Sequence, residues 1–338
     1  MIDESTFINP YVQFINNVAS IILFLSIIRV SLFQPSSIIE TLSTYKSIYQ
    51  VLYISNAMRK FLFLCLLYTQ LTLAQNTNEI RLIIRSDDIG FCHTANEACM
   101  KVYTDGISKS VEILATAPWF MEAVQLLKTQ PKYDVGVHLC LTSEWENLKW
   151  RPLTSAPTLT NLDGYFPQFI WENKKLKNSA YLLQKTINIA EVEREFRAQI
   201  ELVKKYLPWA SHLSSHMGCT DANAEVKALV ARLAAEYKLP IQMPQGISYV
   251  KGFGGATKSP EQKEQDLVTI LKNLTPGTHF LIEHPGYDSG DMKGVGHEGY
   301  ENVAYDREGV TRAFTSAAVK KVIAERNIKL ISIKEALE

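Results

Sequence analysis

Two adjacent carboxylates, Asp87 and Asp88, follow an apolar run in the segment RSDDIGF. Neighbouring carboxylates repel each other, so a cation is the simplest feature that would hold both of them at the end of a strand. Three histidines stand in comparable places, because His138 ends DVGVH, His216 ends HLSSH and His284 ends FLIEH. Aspartate with two histidines is a familiar ligand set for a hydrolytic divalent metal. The pattern therefore predicts metal-assisted hydrolysis.

Each of these residues also has a simpler interpretation that the sequence leaves open. Asp87 and Asp88 could cap the following helix, and His138 could be a hydrogen-bonded histidine of the core. His212, the first residue of the H-x-x-x-H segment, fits a structural or outer-shell role better than a ligand role. His297 lies in a glycine-rich stretch from which it could contact a substrate.

Short apolar segments that alternate with amphipathic ones must bring these side chains together. The predicted strands are residues 80–86, 110–116, 134–138, 211–215, 240–243, 278–283 and 328–333. The predicted helices are residues 94–105, 119–129, 191–206, 222–237, 260–273 and 311–326. This alternation is typical of an α/β fold with a parallel sheet, and residues 75–338 have the length of one (β/α) barrel domain. In such a barrel the carboxyl ends of the strands meet at one rim, where active sites form.

The amino-terminal part of the chain has a different composition. Residues 58–74 contain a basic pair, a short apolar run and small residues before Gln75, the order found in a secretory signal peptide. This predicts an exported domain, periplasmic or secreted, and suggests that residues 1–57 belong to an over-long gene model. The alternative is a membrane anchor at residues 18–33, which Arg29 interrupts at a cost. No membrane contact is expected of the mature domain.

Composition excludes several classes of function. Lys and Arg together number 35, as do Asp and Glu, so no basic excess predicts nucleic-acid binding. The chain contains no C-x-x-C pair, which argues against a zinc ribbon or a redox dithiol. Serine-hydrolase, P-loop and dinucleotide-binding motifs are absent as well.

Two long segments interrupt the alternation of strands and helices. Residues 144–180 are rich in aromatic side chains, and residues 286–309 are rich in glycine. Long loops in a compact domain are usually functional. The aromatic density of the first segment favours a wall or lid on which sugar rings could stack.

Five segments together resemble the YdjC-like carbohydrate deacetylases, the family of chitooligosaccharide deacetylase. They are LIIRSDDIGFCHTANEA, GISKSVEILATAPWFMEAV, VGVHLCLTSEW, SHLSSHMG and IEHPGYD, in order from about residue 81 onward. The resemblance implies a distorted (β/α) barrel, a divalent metal (magnesium or zinc), and removal of acetyl groups from N-acetylated sugars. It implies Asp88, His138 and His216 as metal ligands, Asp87 as general base, and His284 as the residue that assists the leaving amine or the oxyanion.

The sequence departs from the family pattern at one position that bears on the site. The common motif H-x-D-S-H here has Ser214 in place of the aspartate, which we expect to loosen the surroundings of His216. Ser214 therefore leaves a non-catalytic glycan-binding protein as one alternative. An O-acetyl glycan esterase on the same barrel is another, because N- and O-deacetylation pass through a similar tetrahedral intermediate. The sugar, its chain length, the metal and the oligomeric state, a dimer among the options, stay open.

Overall fold

The computed structural model of the chain describes residues 78–176, 179–241 and 243–338. The predicted signal peptide at 58–74, the segment 1–57 and the alternative anchor at 18–33 lie outside these ranges. Among the described residues, no helix has both the length and the apolar composition that a bilayer crossing requires.

The described residues form one seven-stranded sheet, and every pairing in it is parallel. Its strands are β1 (Ile80–Ile89), β2 (Ser110–Ile113), β3 (Asp134–Leu139), β4 (His212–Ser215), β5 (Ile247–Tyr249), β6 (Gly277–Glu283) and β7 (Lys329–Ile331). Their order is β4-β3-β2-β1-β6-β5, and β7 pairs with the first part of β1. The sheet curls through 223° into a half-barrel. The prediction of a distorted, parallel α/β barrel is confirmed.

Helices connect the strands and cover the outside of the sheet. They are α1 (His93–Thr104), α2 (Phe120–Lys128), α3 (Ile189–Tyr206), α4 (Ala224–Tyr237), α5 (Pro260–Asn273), α6 (Val303–Thr315), α7 (Ala317–Glu325) and α8 (Ile333–Leu337). The longest, α3, begins where the Asn188 side chain accepts a hydrogen bond from the amide of Ala190. Its residues Val192, Phe196 and Ile200 recur every four positions and are fully buried.

Successive side chains of β1 point to opposite faces of the sheet. The outer face is apolar, and the inner face is apolar at the start of the strand and charged near its end. Leu82 and Ile84 pack into the cluster that also contains residues of α5, α6 and α7. Ile83 points the other way and joins a small apolar cluster with Phe280, Ile331 and Ile333. Arg85 and Asp87 follow at two-residue spacing. The inner face thus runs from an apolar floor to a charged rim.

One predicted strand is wrong. The sequence predicts a strand at residues 240–243, yet 240, 241 and 243 form none, and the edge strand β5 comes later in the chain. Pro240 begins the segment and Pro244 follows it, and both lack the N–H group that a ladder needs.

One predicted helix is also wrong in its bounds. Residues 311–326 belong to two helices, which Ser316 separates with an extended backbone at φ −60° and ψ 136°. The hydroxyl of Ser316 accepts hydrogen bonds from the first amides of α7. The first of these helices, α6, begins at Val303, inside the segment predicted as a glycine-rich loop.

Candidate metal centre

A bulge in β1 turns both aspartates toward one pocket. Successive side chains of a regular strand point to opposite faces. Between Ser86 and Ile89, however, β1 has one more residue than β2, and Asp88 adopts a left-handed backbone with φ of 73°. As a result, His138 Nε2 lies 3.6 Å from Asp87 Oδ2 and 3.5 Å from Asp88 Oδ1.

Three buried side chains, Asp88, His138 and His216, form the centre of the pocket. One donor atom from each lies within 4.8 Å of the others. His138 is in β3, and His216 is the first residue of the turn after β4, so the carboxyl ends of three strands contribute. The Nδ1 atom of His216 lies 3.2 Å from Asp88 Oδ1. The structure therefore brings together the three residues that the sequence analysis assigns to a metal.

The charges in this cluster suit a divalent cation. Burial and the nearby His216 lower the pKa of His138 to about 3, so its ring is neutral. Burial opposes ionisation of Asp88, but His216 and His284 outweigh it and hold the pKa of that carboxyl well below its usual range. One ionised carboxylate and two imidazoles, with room for water and substrate, are the donor set of hydrolytic metal sites. The residues present fit such an ion.

Glu144, which the sequence analysis did not single out, holds the other side of His216. Its Oε2 atom lies 3.0 Å from His216 Nε2, and both residues are buried. Burial opposes a charge on the ring, but Glu144 and Asp88 outweigh it and raise the pKa of His216 well above its usual range. A carboxylate behind an imidazole leaves the other ring nitrogen directed at the ion. The one feature of the local sequence that could have identified Glu144 is its place two residues after Thr142, in LTSEW.

Arg307, from α6, is a second residue that local sequence patterns do not reveal. Its Nη2 atom donates to Asp88 Oδ2 at 3.1 Å, and the guanidinium stacks over the rings of Phe91 and Trp145. The preceding residue, Asp306, forms a buried ion pair with Lys263 of α5. Arg307 is thereby placed so that one oxygen of Asp88 is occupied and the other, Oδ1, faces the two histidines.

Asp87 is held by Arg85, two residues earlier on the same face of β1. The Nε and Nη2 atoms of Arg85 donate to the two oxygens of Asp87 at 2.7 and 2.6 Å. Burial raises the pKa of Asp87, although Arg85 opposes the shift. The carboxylate is fixed in orientation and is more basic than usual, which suits a proton acceptor. Two-residue spacing in a strand is the signal that could have identified Arg85.

His284 lies at the mouth of the pocket, one residue beyond β6. Its Nε2 atom is 3.7 Å from Asp88 Oδ2, and 41% of its side chain is exposed. The imidazole can therefore meet a substrate while it remains next to the buried carboxylates.

The side-chain hydrogen bonds of Ser214 involve His138 and Glu112 rather than His216, contrary to the expectation from the sequence. Its hydroxyl oxygen lies 2.7 Å from His138 Nδ1, and the hydroxyl donates to Glu112 of β2 in a short hydrogen bond. Sheet register explains the difference, because Ser214 of β4 is paired with His138 of the neighbouring strand β3. His216 already belongs to the turn, where the next residue, Met217, has φ of 49°.

Glu112 and His212 meet across β3 because Gly136 lies between them. Glu112 is paired with Gly136 in the sheet, and Gly136 is paired with His212. Glu112 Oε1 lies 2.7 Å from His212 Nε2, directly over the glycine. A Cβ atom at position 136 would overlap both side chains. His212 thus has the structural role that the sequence analysis favoured.

The aromatic segment is mostly core rather than an exposed wall. Trp145 and Trp150 are 2% and 3% exposed, respectively, and pack in the main apolar cluster. His297 stacks on Trp145 with ring centroids 5.9 Å apart. Trp171 is the exception among the tryptophans of residues 144–176, because it is 46% exposed and packs over Gly218, two residues beyond His216.

Comparisons with known proteins match most of the described residues. A family model described as "YdjC-like protein" matches residues 81–325. Carbohydrate deacetylase 2 of Listeria innocua is 32% identical over 263 residues, which are 75% of this chain and 97% of the relative. A carbohydrate deacetylase of Thermus thermophilus is 31% identical over 228 residues, 60% of this chain and 76% of the relative. Among solved structures, an Enterococcus faecalis protein with a suggested role in cellobiose-phosphate cleavage shares the fold, with a TM-score of 0.60 at 23% identity, over 76% of this chain and 98% of its own.

Proposed function

The chain belongs to the family of YdjC-like proteins, and on that premise we propose that it is a metal-dependent hydrolase that removes acetyl groups from N-acetylated sugars. The observation that carries the proposal is the buried cluster of Asp88, His138 and His216 at the rim of the half-barrel. The relatives named as carbohydrate deacetylases support the sugar substrate and the reaction.

We propose that Asp88, His138 and His216 hold the ion through Oδ1, Nε2 and Nδ1. Two imidazole nitrogens in the donor set favour zinc over magnesium, which prefers oxygen ligands. When bound, the divalent metal polarises the acetyl carbonyl oxygen and lowers the pKa of a water molecule. Arg307 keeps the second oxygen of Asp88 in place.

The other residues of the pocket account for the proton transfers. Asp87 accepts a proton from the attacking water, and Arg85 fixes the carboxylate for that transfer. The water oxygen bonds to the carbonyl carbon, and the carbon–nitrogen bond breaks. His284 gives a proton to the departing nitrogen, which its partly exposed position allows. Acetate and an amino sugar result. Trp171 would offer an apolar face to the sugar ring beside the pocket.

Acetate release tests this function directly. We expect the purified protein, stripped of metal, to release acetate from N-acetylglucosamine oligomers only after zinc or magnesium is restored. Release from O-acetylated glycans alone would support the esterase instead. Glycan binding that survives metal removal, with no acetate from either class, would contradict enzymatic function.

We further propose that residues 58–74 direct export and that the domain acts on external or imported glycan fragments. Those residues lie outside the described ranges, so the proposal rests on their composition. The intact mass of the protein from its native cells should correspond to a chain that begins at Gln75. A mass that includes residues 18–33 would favour the anchor.

A further inference from the structure

We propose that Ser214 and Glu112 act together as positioning residues for His138, and that they fix the proton on its Nδ1 atom so that Nε2 is available to the ion. This inference rests on the metal site of the proposed function. It concerns one property of that site, the affinity for the cation, and it can be tested without a substrate.

The hydrogen bonds that join Glu112, Ser214 and His138 determine which atom carries each proton. The hydroxyl of Ser214 donates its single proton to Glu112 Oε2. Its oxygen, 2.7 Å from His138 Nδ1, can then only accept, so the proton between them belongs to the imidazole. A neutral imidazole with its proton on Nδ1 has a lone pair on Nε2, the atom 3.5 Å from Asp88 Oδ1.

Glu112 is the last acceptor in this series of hydrogen bonds, and its carboxylate is ionised and held in place. It is fully buried, and its Oε1 atom lies 2.7 Å from His212 Nε2 and 4.0 Å from Arg85 Nε. Burial would raise the pKa of Glu112, but His212 and Arg85 outweigh it and lower the pKa to about 2. An ionised carboxylate can only accept hydrogen bonds, which sets the direction of the hydroxyl.

The carboxylate of Glu112 keeps hydrogen-bonding and charged partners when Ser214 is replaced. The contacts to His212 and Arg85 balance its charge, so loss of the hydroxyl removes only the link to the imidazole. A role confined to folding would therefore show in the apo protein, whereas a positioning role would show in metal binding. Outer-shell partners of metal-bound histidines typically contribute 10- to 100-fold to affinity.

The experiment compares zinc affinity, from competition with a chromogenic chelator, with thermal unfolding of the metal-free protein. We expect Ser214→Ala to weaken zinc binding by about 10- to 100-fold while the unfolding midpoint of the apo protein changes little. Glu112→Gln should weaken it as well. Ser214→Asp alone places a second carboxylate against Glu112 and should also bind zinc weakly. The double change Ser214→Asp with Glu112→Gln restores one carboxylate behind the ring and should recover affinity to within about threefold.

Ser110→Ala is the matched control. Ser110 is also a buried serine that links a nitrogen donor, the amide of Ile333, to a carboxylate, Asp134, but at the other end of the strands. Its loss should leave zinc affinity unchanged. Equal zinc affinity in Ser214→Ala and Ser110→Ala would overturn the inference, as would the lack of recovery in the double variant. A wild type that binds no zinc would overturn it too, whereas tight zinc binding without acetate release would count against the proposed reaction alone.

Discussion

Asp88→Asn is expected to reduce acetate release by about 10³-fold or more and to leave the protein without bound zinc. The charge of Asp88 faces both histidines, with Oδ1 3.2 Å from His216 Nδ1 and 3.5 Å from His138 Nε2. The Lewis acidity of a metal contributes several kcal/mol to such a reaction, and about 1.4 kcal/mol corresponds to a factor of ten in rate. Initial rates of acetate release and zinc content per chain measure the two effects.

This substitution also leaves Arg307 buried without a charged partner, which generally destabilises a protein by about 3–5 kcal/mol. Thermal unfolding must therefore accompany the rates, and zinc content must be measured below the unfolding midpoint. Asp134→Asn is a matched control, because it removes a buried strand carboxylate that accepts from Ser110 and Lys334. It should keep zinc and activity. More than a tenth of wild-type activity in a zinc-free Asp88→Asn protein would contradict the role of Asp88.

Asp87→Asn is expected to lower kcat by about 10²- to 10⁴-fold, the usual contribution of a general base, while zinc stays bound. Both oxygens of Asp87 are paired with Arg85, whereas Oδ1 of Asp88 lies 3.2 Å from His216 Nδ1 and 3.5 Å from His138 Nε2. Loss of the Asp87 charge leaves Arg85 beside Glu112, so the fold should persist. The measurement is kcat and KM for an N-acetylated oligomer, with zinc content determined on the same samples.

The adjacent aspartates can thus be told apart by one comparison. If Asp87→Asn loses zinc and Asp88→Asn keeps it, the roles of the two residues are exchanged. If Asp87→Asn keeps both zinc and near-wild-type kcat, another group accepts the proton. A KM that rises without a fall in kcat would assign Asp87 to substrate binding instead.

The order of strands and helices could be predicted because burial imposes its period on the sequence. Four of the five candidate site residues were predicted for a related reason, since Asp88, His138, His216 and His284 stand at strand ends. Parallel strands bring such ends to one rim whatever lies between them. Asp87 was found with Asp88 as an adjacent pair, although the bulge that turns both inward leaves no mark in the residue pattern.

The residues that support the candidate site from behind could not be predicted, because the local sequence around each of them suggests an ordinary structural role. Arg307 looks in the sequence like an ordinary polar residue of the glycine-rich segment 286–309, and it is 219 residues from Asp88, its partner. Glu112 looks like a solvent-facing residue of a strand, yet it is fully buried. Glu144 begins a loop. Their roles depend on which side chains meet inside the half-barrel, and that becomes visible only in three dimensions.

Ser214 illustrates the same limit within a motif. The H-x-x-x-H motif associates Ser214 with His216, because the two residues are only two positions apart in the sequence. In the structure the strand ends between them, and the hydroxyl belongs to His138 instead. Ser214 was the one feature that favoured a non-catalytic protein, but its hydrogen bonds join it to the candidate metal centre.

Gly136 restricts which substitutions this part of the pocket can accept. Any side chain at position 136 would occupy the space where Glu112 and His212 meet. A side chain at position 136 would displace Glu112 or His212, so a substitution that keeps the contact between these two residues must also keep the glycine. Substitutions at positions 112, 136 and 212 are accordingly coupled. The carboxylate of Glu112, which accepts from Ser214, therefore depends on a residue that has no side chain, Gly136.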